Sequence, residues 1–404
     1  MVAEAARPRF RSAWTLQSSD VPSILVIGAG YTGLAAALRL AELRSSAGQT
    51  ARILLLERDH VAAGPSGKSA GHICGLQPPD AAVRRHCGRV LGDRLVEAAD
   101  AASHLVRRLI EHHAIACDVR DGYVSIASNG QQTVTTGGLA FGIDPYPFAL
   151  GLAFAAERMG VEIYEGAAVT GLSPSRSGCI ASVAGSPLPV AGVLASGGHR
   201  IAEMIELLAP LRQRTTELLI STIITDPLPD VLLRQIMPDA NNRRFPFANE
   251  EANVAYGSID RSNRLIFGAH ASALRTPDFG RIARTLAALF PELLPGFRAL
   301  TGRNLAWRPL VEAEILSFTR DLLPNVGAVS GSSNILFAQA LGGHGLALGT
   351  LLGTVAAEKL WALLGGRVSG DAQIFDTFAA VSHRWIPPWQ PLRCLATEIG
   401  RILR

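Results

Sequence analysis

Cysteine is scarce and unpatterned in this chain of 404 residues. Its five cysteines, Cys74, Cys87, Cys117, Cys179 and Cys394, form no CxxC pair. That excludes a zinc ribbon and a dithiol redox centre, and the odd number points to reduced thiols in a cytoplasmic setting. The histidines lack metal-ligand spacing, so no metal site is expected. No basic run carries interleaved aromatics and the net charge is only +4, which argues against a nucleic-acid partner. The N-terminal stretch is polar, with no apolar signal core. Charged residues are only 18% against 48% hydrophobic, so the chain is not disordered. The apolar stretches 24–41 and 338–357 are broken by glycines, and neither reads as a transmembrane span. There is no internal repeat and no low-complexity segment.

Glycine, by contrast, is plentiful, with 40 residues. The chain is organised around Ile24-Leu25-Val26-Ile27-Gly28-Ala29-Gly30-Tyr31-Thr32-Gly33. Four apolar residues, a glycine turn and an alanine-leucine segment predict a buried parallel strand, a tight loop and a helix. The glycines have the spacing of a dinucleotide fingerprint. Gly28 permits the turn, Gly30 leaves room for a pyrophosphate, and Gly33 lets the helix pack on the strand. The helix start offers free N–H groups to phosphate. A second strand, Ile53–Leu56, ends in Glu57, an acid suited to a ribose diol. It lies beyond the usual spacing of about 20 residues. The polar stretch Arg44 to Thr50 reads as the loop insertion responsible.

Next comes Ser66-Gly67-Lys68-Ser69-Ala70-Gly71-His72, a run of small residues suited to wrapping a ligand. A helical period fills Ala81 to His113, and Tyr123–Ile126 reads as a strand. Asp144-Pro145 starts a helix that Gly160 stops. Val161–Glu165 and Val190–Leu194 read as strands, the latter closing in Ala195-Ser196-Gly197-Gly198. From Leu218 to Phe267 short strands alternate with turns, which predicts a separate antiparallel sheet. Near the end, Ile335–Ala338 runs through Leu341-Gly342-Gly343-His344-Gly345-Leu346 into a long helix. A second bare helix start here would stabilise the negative charge that develops on a reduced flavin ring. His344 reads equally well as a loop histidine bonded to backbone.

With both glycine loops in place, the chain resembles the D-amino-acid oxidase-type FAD oxidoreductases. It is nearest the glycine/sarcosine oxidase and γ-glutamylputrescine oxidase branch. The resemblance is carried by Gly28–Gly33, Glu57, Ser66–Gly71, Asp144-Pro145, Asn263-Arg264-Leu265-Ile266-Phe267-Gly268, Leu323-Pro324-Asn325-Val326-Gly327 and Ala338-Gln339 with Gly343-His344-Gly345. It implies an α/β fold, with a Rossmann-like FAD-binding domain over 20–80, 144–205 and 320–390. A discontinuous antiparallel-sheet substrate domain would take 81–143 and 206–319, followed by a tail over 391–404. By resemblance, Gly28, Ala29, Gly30, Tyr31, Thr32 and Gly33 hold the pyrophosphate. Glu57, with Arg58 beside it, serves the adenosine ribose. Ser66, Gly67, Lys68, Ser69, Ala70, Gly71 and His72 lie along pyrophosphate and ring. Val169 meets adenine, Gly197 borders the cofactor, and Gly342, Gly343, His344, Gly345 and Leu346 meet the flavin. The two helix starts are expected to grip opposite ends of one FAD.

The implied chemistry is oxidation of the C–N bond of an amine or amino acid, by hydride transfer to flavin N5 and hydrolysis of the imine. Oxygen or another acceptor takes the electrons. No catalytic base is assigned, because an amine arriving deprotonated needs none. Two departures bear on the substrate. Lys68-Ser69-Ala70 stands where the branch has arginine, asparagine and glycine, and Trp307-Arg308-Pro309 where it has tryptophan and glycines. Arg308 is the candidate for a substrate carboxylate, since a guanidinium fork matches it in two places. Pairing with Glu312 or Glu314 is the competing reading. Trp307 and Tyr256 are further substrate candidates. An NAD-linked dehydrogenase and a non-catalytic nucleotide-binding protein remain as alternatives.

Overall fold

The computed structural model describes residues 10–11, 23–76, 80–127, 131–136, 138–176, 178–237, 244–249, 255–269, 276–341, 343–368 and 372–383. Gly342, Cys394 and the segment 391–404 lie outside the described residues.

The fold is mixed α/β. A six-stranded sheet has the order Asn325–Ala328, Ile335–Gln339, Gly192–Ala195, Ser23–Ile27, Arg52–Leu56, Glu162–Tyr164. Only its first strand runs antiparallel to its neighbour. A strand buried on both faces needs apolar residues at successive positions, as Ile24 to Ile27 provide. Ile24 and Val26 face the helices Tyr31–Ser46, Pro145–Arg158 and Ala347–Leu363. Leu25 and Ile27 face a three-stranded antiparallel sheet and the segment from Ile201 to Leu211. Each fully buried Leu or Ile here contributes about 1.5–3 kcal/mol of transfer free energy.

The seven-stranded sheet is built from the rest of the chain. Its order is Trp307–Phe318, Thr216–Pro227, Arg264–Ala269, Ala255–Ile259, Phe247–Asn249, Tyr123–Ile126, Gln132–Thr135. All pairs are antiparallel except Phe247–Asn249 with Tyr123–Ile126. One face carries Val124, Ile223, Phe247 and Phe267 against the helices Asp230–Ile236, Phe279–Leu289 and Leu293–Thr301. By alternation, the other face carries Ser125, Thr222, Ile224 and Tyr256. Two contacts tie this second face to the loop after Glu57: Lys68 to Glu314, and His72 to the Gly257 carbonyl.

Three local expectations differ from the structure. Val190 and Gly192–Ala195 belong to different sheets. Val190 pairs with Cys179 and Val193 with Ile335, so Ala191 marks a change of sheet within one apolar run. The first helix continues to Ser46, so the insertion before Glu57 is shorter than Arg44 to Thr50. The helices Asp80–Cys87 and Arg89–His112, expected with the antiparallel sheet, share the core of the parallel one. Their apolar stripe, Leu95, Ala98 and Ala102, is buried on the side of the helix Ala347–Leu363.

Candidate active site

The two glycine-loop helices begin at the same edge of the parallel sheet. Expected at opposite ends of one ligand, their starts instead touch: a Cβ on Gly349 would stand 2.9 Å from Thr32 Oγ1. Neither helix has a side-chain cap or an acid in its first turn. Two partial positive charges are therefore presented side by side.

The glycines of the first loop divide their work. Gly28 has φ +96°, and a Cβ there would lie 2.8 Å from Gly197 Cα. A Cβ on Gly33 would overlap the Gly28 carbonyl oxygen at 1.8 Å. Both positions serve packing. Gly30 differs, because a Cβ there would meet only the Ser66 side chain, with Oγ at 2.9 Å. Its backbone faces the second loop and not the core.

That second loop is fastened over the first. The Tyr31 N–H donates to Ser66 Oγ at 3.2 Å, and the Tyr31 hydroxyl donates to the Ser66 carbonyl. Ser69 Oγ lies 3.5 Å from the same hydroxyl. Gly67 and Gly71 let the loop approach backbone closely, with virtual Cβ atoms 2.3 Å from Ala62 O and 1.9 Å from Ile143 O. Ala70 is half-buried between them. Lys68 Nζ leaves the loop to meet Glu314 at 2.8 Å.

Glu57 is held by backbone. Its Oε2 accepts the Ala29 N–H at 2.8 Å and its Oε1 the Asp59 N–H at 2.9 Å. Burial raises its pKa. Each oxygen retains a lone pair for a hydroxyl. Arg58 turns outward to Asp59 at 2.7 Å. Val169 opens the next strand as a buried residue, and the Ala167 N–H donates to the Glu57 carbonyl at 2.8 Å.

On the far side of the loop, His72 stands between Tyr123 and Tyr256. The ring centroids are 6.2 and 6.0 Å away, both edge-on. Burial, with the charges of Arg120 and His344, lowers its pKa to about 4. His72 therefore lies within electrostatic reach of the C-terminal loop, where Gly343 has φ +81° and Gly345 and Leu346 lead into the helix. Tyr256 crosses the strand beside it: a Cβ on Gly268 would sit 2.6 Å from the Tyr256 hydroxyl. Burial raises that phenol and keeps it neutral.

Arg308 lies on the edge strand, in register with Ile224, and is exposed. Glu314 is the partner of Lys68, and the Glu312 side chain lies outside the described residues. Trp307 packs toward the other face, with its ring 6.3 Å from Phe279, and so stands away from His72 and Tyr256. Tyr123, Thr222, Lys68 with Glu314, and Arg120 are the residues that sequence reasoning did not bring together. The alternation of Tyr123 with buried Val124 was the available signal for the first of them. Among the described residues, no cluster of His, Cys, Asp and Glu could hold a metal ion. No helix among them is long and apolar enough to cross a membrane.

A sequence model of the FAD dependent oxidoreductase family matches residues 23–140 and 136–359. The chain belongs to that family. It is an enzyme family, and its cofactor is FAD. Among its relatives, the γ-glutamylputrescine oxidoreductase of Escherichia coli (strain K12) is 26% identical over 431 residues, covering 96% of this chain and 92% of that protein. Among solved structures, glycine oxidase from Geobacillus kaustophilus superposes with TM-score 0.62 at 16% identity, covering 88% of this chain and 98% of that one. The L-amino acid deaminase from Proteus vulgaris with its specific insertion sequence deleted gives 0.64 at 16% identity, over 91% and 96%. Within this family, the residues present suit FAD. Gly30 is the one fingerprint glycine whose missing side chain would meet no backbone, only the Ser66 side chain, and two uncapped helix starts adjoin it.

Proposed function

We propose that the protein oxidises the C–N bond of an amine or amino acid to an imine, which water then hydrolyses. FAD, when bound, supplies the hydride acceptor and passes the electrons to oxygen or another acceptor. The chain's own residues bind and orient. In this reading a Rossmann-like domain holds FAD, and the free face of the antiparallel sheet forms the substrate wall. Gly28 to Gly33 and the Tyr31 helix start carry the pyrophosphate, and Glu57 the ribose. Ser66 to Gly71 lie along the ring, and Gly343 to Leu346 meet its pyrimidine edge. Val169, Arg58 and Gly197 border the adenosine end. Arg308, at the rim of the wall, receives a substrate carboxylate.

The observation that carries this reading is the juxtaposition of two uncapped helix starts with a polar sheet face. The second helix start supports FAD over a nicotinamide cofactor, which needs only the first. The name of the Escherichia coli relative supports an amine as substrate. The free cysteines support a cytoplasmic setting. The test is anaerobic mixing of the yellow protein with amines, amino acids and their N-methyl forms. Bleaching of the flavin band supports the enzyme, and colour that persists across the panel favours a binding role.

A further inference from the structure

We infer that His72 holds the reacting nitrogen of the substrate as an uncharged amine, by accepting one of its N–H groups on Nδ1. The inference rests on the amine-oxidising reading above and deepens it.

The tautomer follows from geometry. His72 Nε2 lies 2.8 Å from the Gly257 carbonyl oxygen. A carbonyl only accepts, so Nε2 carries the proton and Nδ1 keeps a lone pair. Among the described residues, Nδ1 makes no hydrogen bond. The ring cannot turn freely, because Tyr123 and Tyr256 flank it edge-on. Its backbone is held as well, His72 being paired with Gly142 across a short ribbon.

The surroundings select the uncharged form of an amine. Arg120 and His344 are the titratable groups that act on His72, and Arg120, always charged, opposes a second cation there. No carboxylate acts on His72 among the described charges, and two that stand near this region are paired, Asp144 with Arg120 at 3.3 Å and Glu314 with Lys68 at 2.8 Å. The wall beyond is uncharged. Tyr256 reaches across Gly268, and Gly268 is in register with Thr222, whose buried Oγ1 has no partner among the described residues. The cation that reaches this wall, Arg120, is already paired with Asp144, which leaves a substrate carboxylate to the rim at Arg308. With its pKa at about 4, His72 stays neutral throughout the working range.

The test uses the FAD-loaded protein and tert-butylamine, which has no α-hydrogen and cannot be oxidised. Binding is read from perturbation of the flavin spectrum and normalised to bound FAD. Affinity in total amine is expected to rise about tenfold per pH unit up to the pKa of the amine itself. His72→Phe keeps a ring but loses the lone pair, and is expected to weaken binding roughly tenfold. His72→Asn returns an amide oxygen near the position of Nδ1 and should recover part of that loss. The inference is overturned if affinity falls above the amine pKa, or if His72→Phe binds tert-butylamine as the parent does. It is also overturned if tert-butylamine leaves the spectrum unchanged in a protein that other amines reduce. Should His72→Phe not fold, the same comparison is made with His72→Leu, and parental affinity for tert-butylamine in that variant overturns the inference. If no amine or amino acid reduces the flavin, the amine-oxidising reading itself fails and takes this inference with it.

Discussion

A Cβ on Gly353 would stand 2.1 Å from the carbonyl oxygen of Thr32, so the first helix and the helix Ala347–Leu363 cross backbone against backbone. This crossing keeps both helix starts at one edge of the sheet. Overpacking a tight contact costs about 1–3 kcal/mol. Gly353→Val should therefore lower the unfolding midpoint in urea and reduce the FAD retained on purification. A variant with parental stability and full flavin would show that the crossing does not position the cofactor site.

Gly30 and Gly33 should fail in different ways. A side chain at Gly33 has no room, since its Cβ would overlap the Gly28 carbonyl at 1.8 Å. At Gly30 the only obstacle is Ser66, whose hydroxyl can turn aside. Gly30→Val should fold, with a circular dichroism spectrum like the parent's, yet purify colourless. Gly33→Val should not accumulate as folded protein. A yellow Gly30→Val protein would remove the pyrophosphate from this loop.

Arg308 is exposed at the edge of the sheet, and no ion pair holds it among the described residues. A charge-assisted bond to a carboxylate is worth about 1.5–3 kcal/mol. Arg308→Ala should raise KM about 10- to 100-fold for carboxylate-bearing substrates and leave simple amines unaffected. Steady-state kinetics on a matched pair, an amino acid and its decarboxylated amine, separates these outcomes. Equal effects on both would take Arg308 out of the substrate site.

What was legible in the sequence was local. The strand, the glycine loop and Glu57 lie within one short stretch, so spacing alone orders them. The C-terminal loop is equally compact. The wall opposite was not legible, because His72, Tyr123, Thr222 and Tyr256 come from four distant segments and meet only through strand pairing. Periodicity likewise did not mark the change of sheet at Ala191, since the run Val190 to Leu194 is apolar on both sides of it, though the strand Ser186–Val190 alternates and Gly192–Ala195 does not. Trp307 and Arg308 are neighbours in sequence, yet successive residues of a strand face opposite ways, and that separated their fates.

Asp321 links the last strand of the antiparallel sheet to the C-terminal segment. His383 Nδ1 lies 3.1 Å from both its oxygens, and the Thr319 hydroxyl and Leu323 N–H donate to Oδ1. Burial alone would raise its pKa. The His383 bond and charge, with the Leu323 and Thr319 bonds, outweigh burial and hold it below the ordinary value. A lowered carboxyl pKa stabilises the fold above the ordinary value, and this stability is lost as pH falls through the lowered one. Asp321→Asn should thus cost about 1–3 kcal/mol at neutral pH. The difference from the parent should shrink below about pH 3.9. Urea titrations at both pH values check this, and a constant difference would contradict it.

The most direct test is to mix the purified yellow protein anaerobically with the panel of amines, amino acids and N-methyl forms and to follow the flavin band. The account predicts bleaching by at least one of them, with release of the corresponding carbonyl compound. A band that stays oxidised with every member of the panel would contradict it.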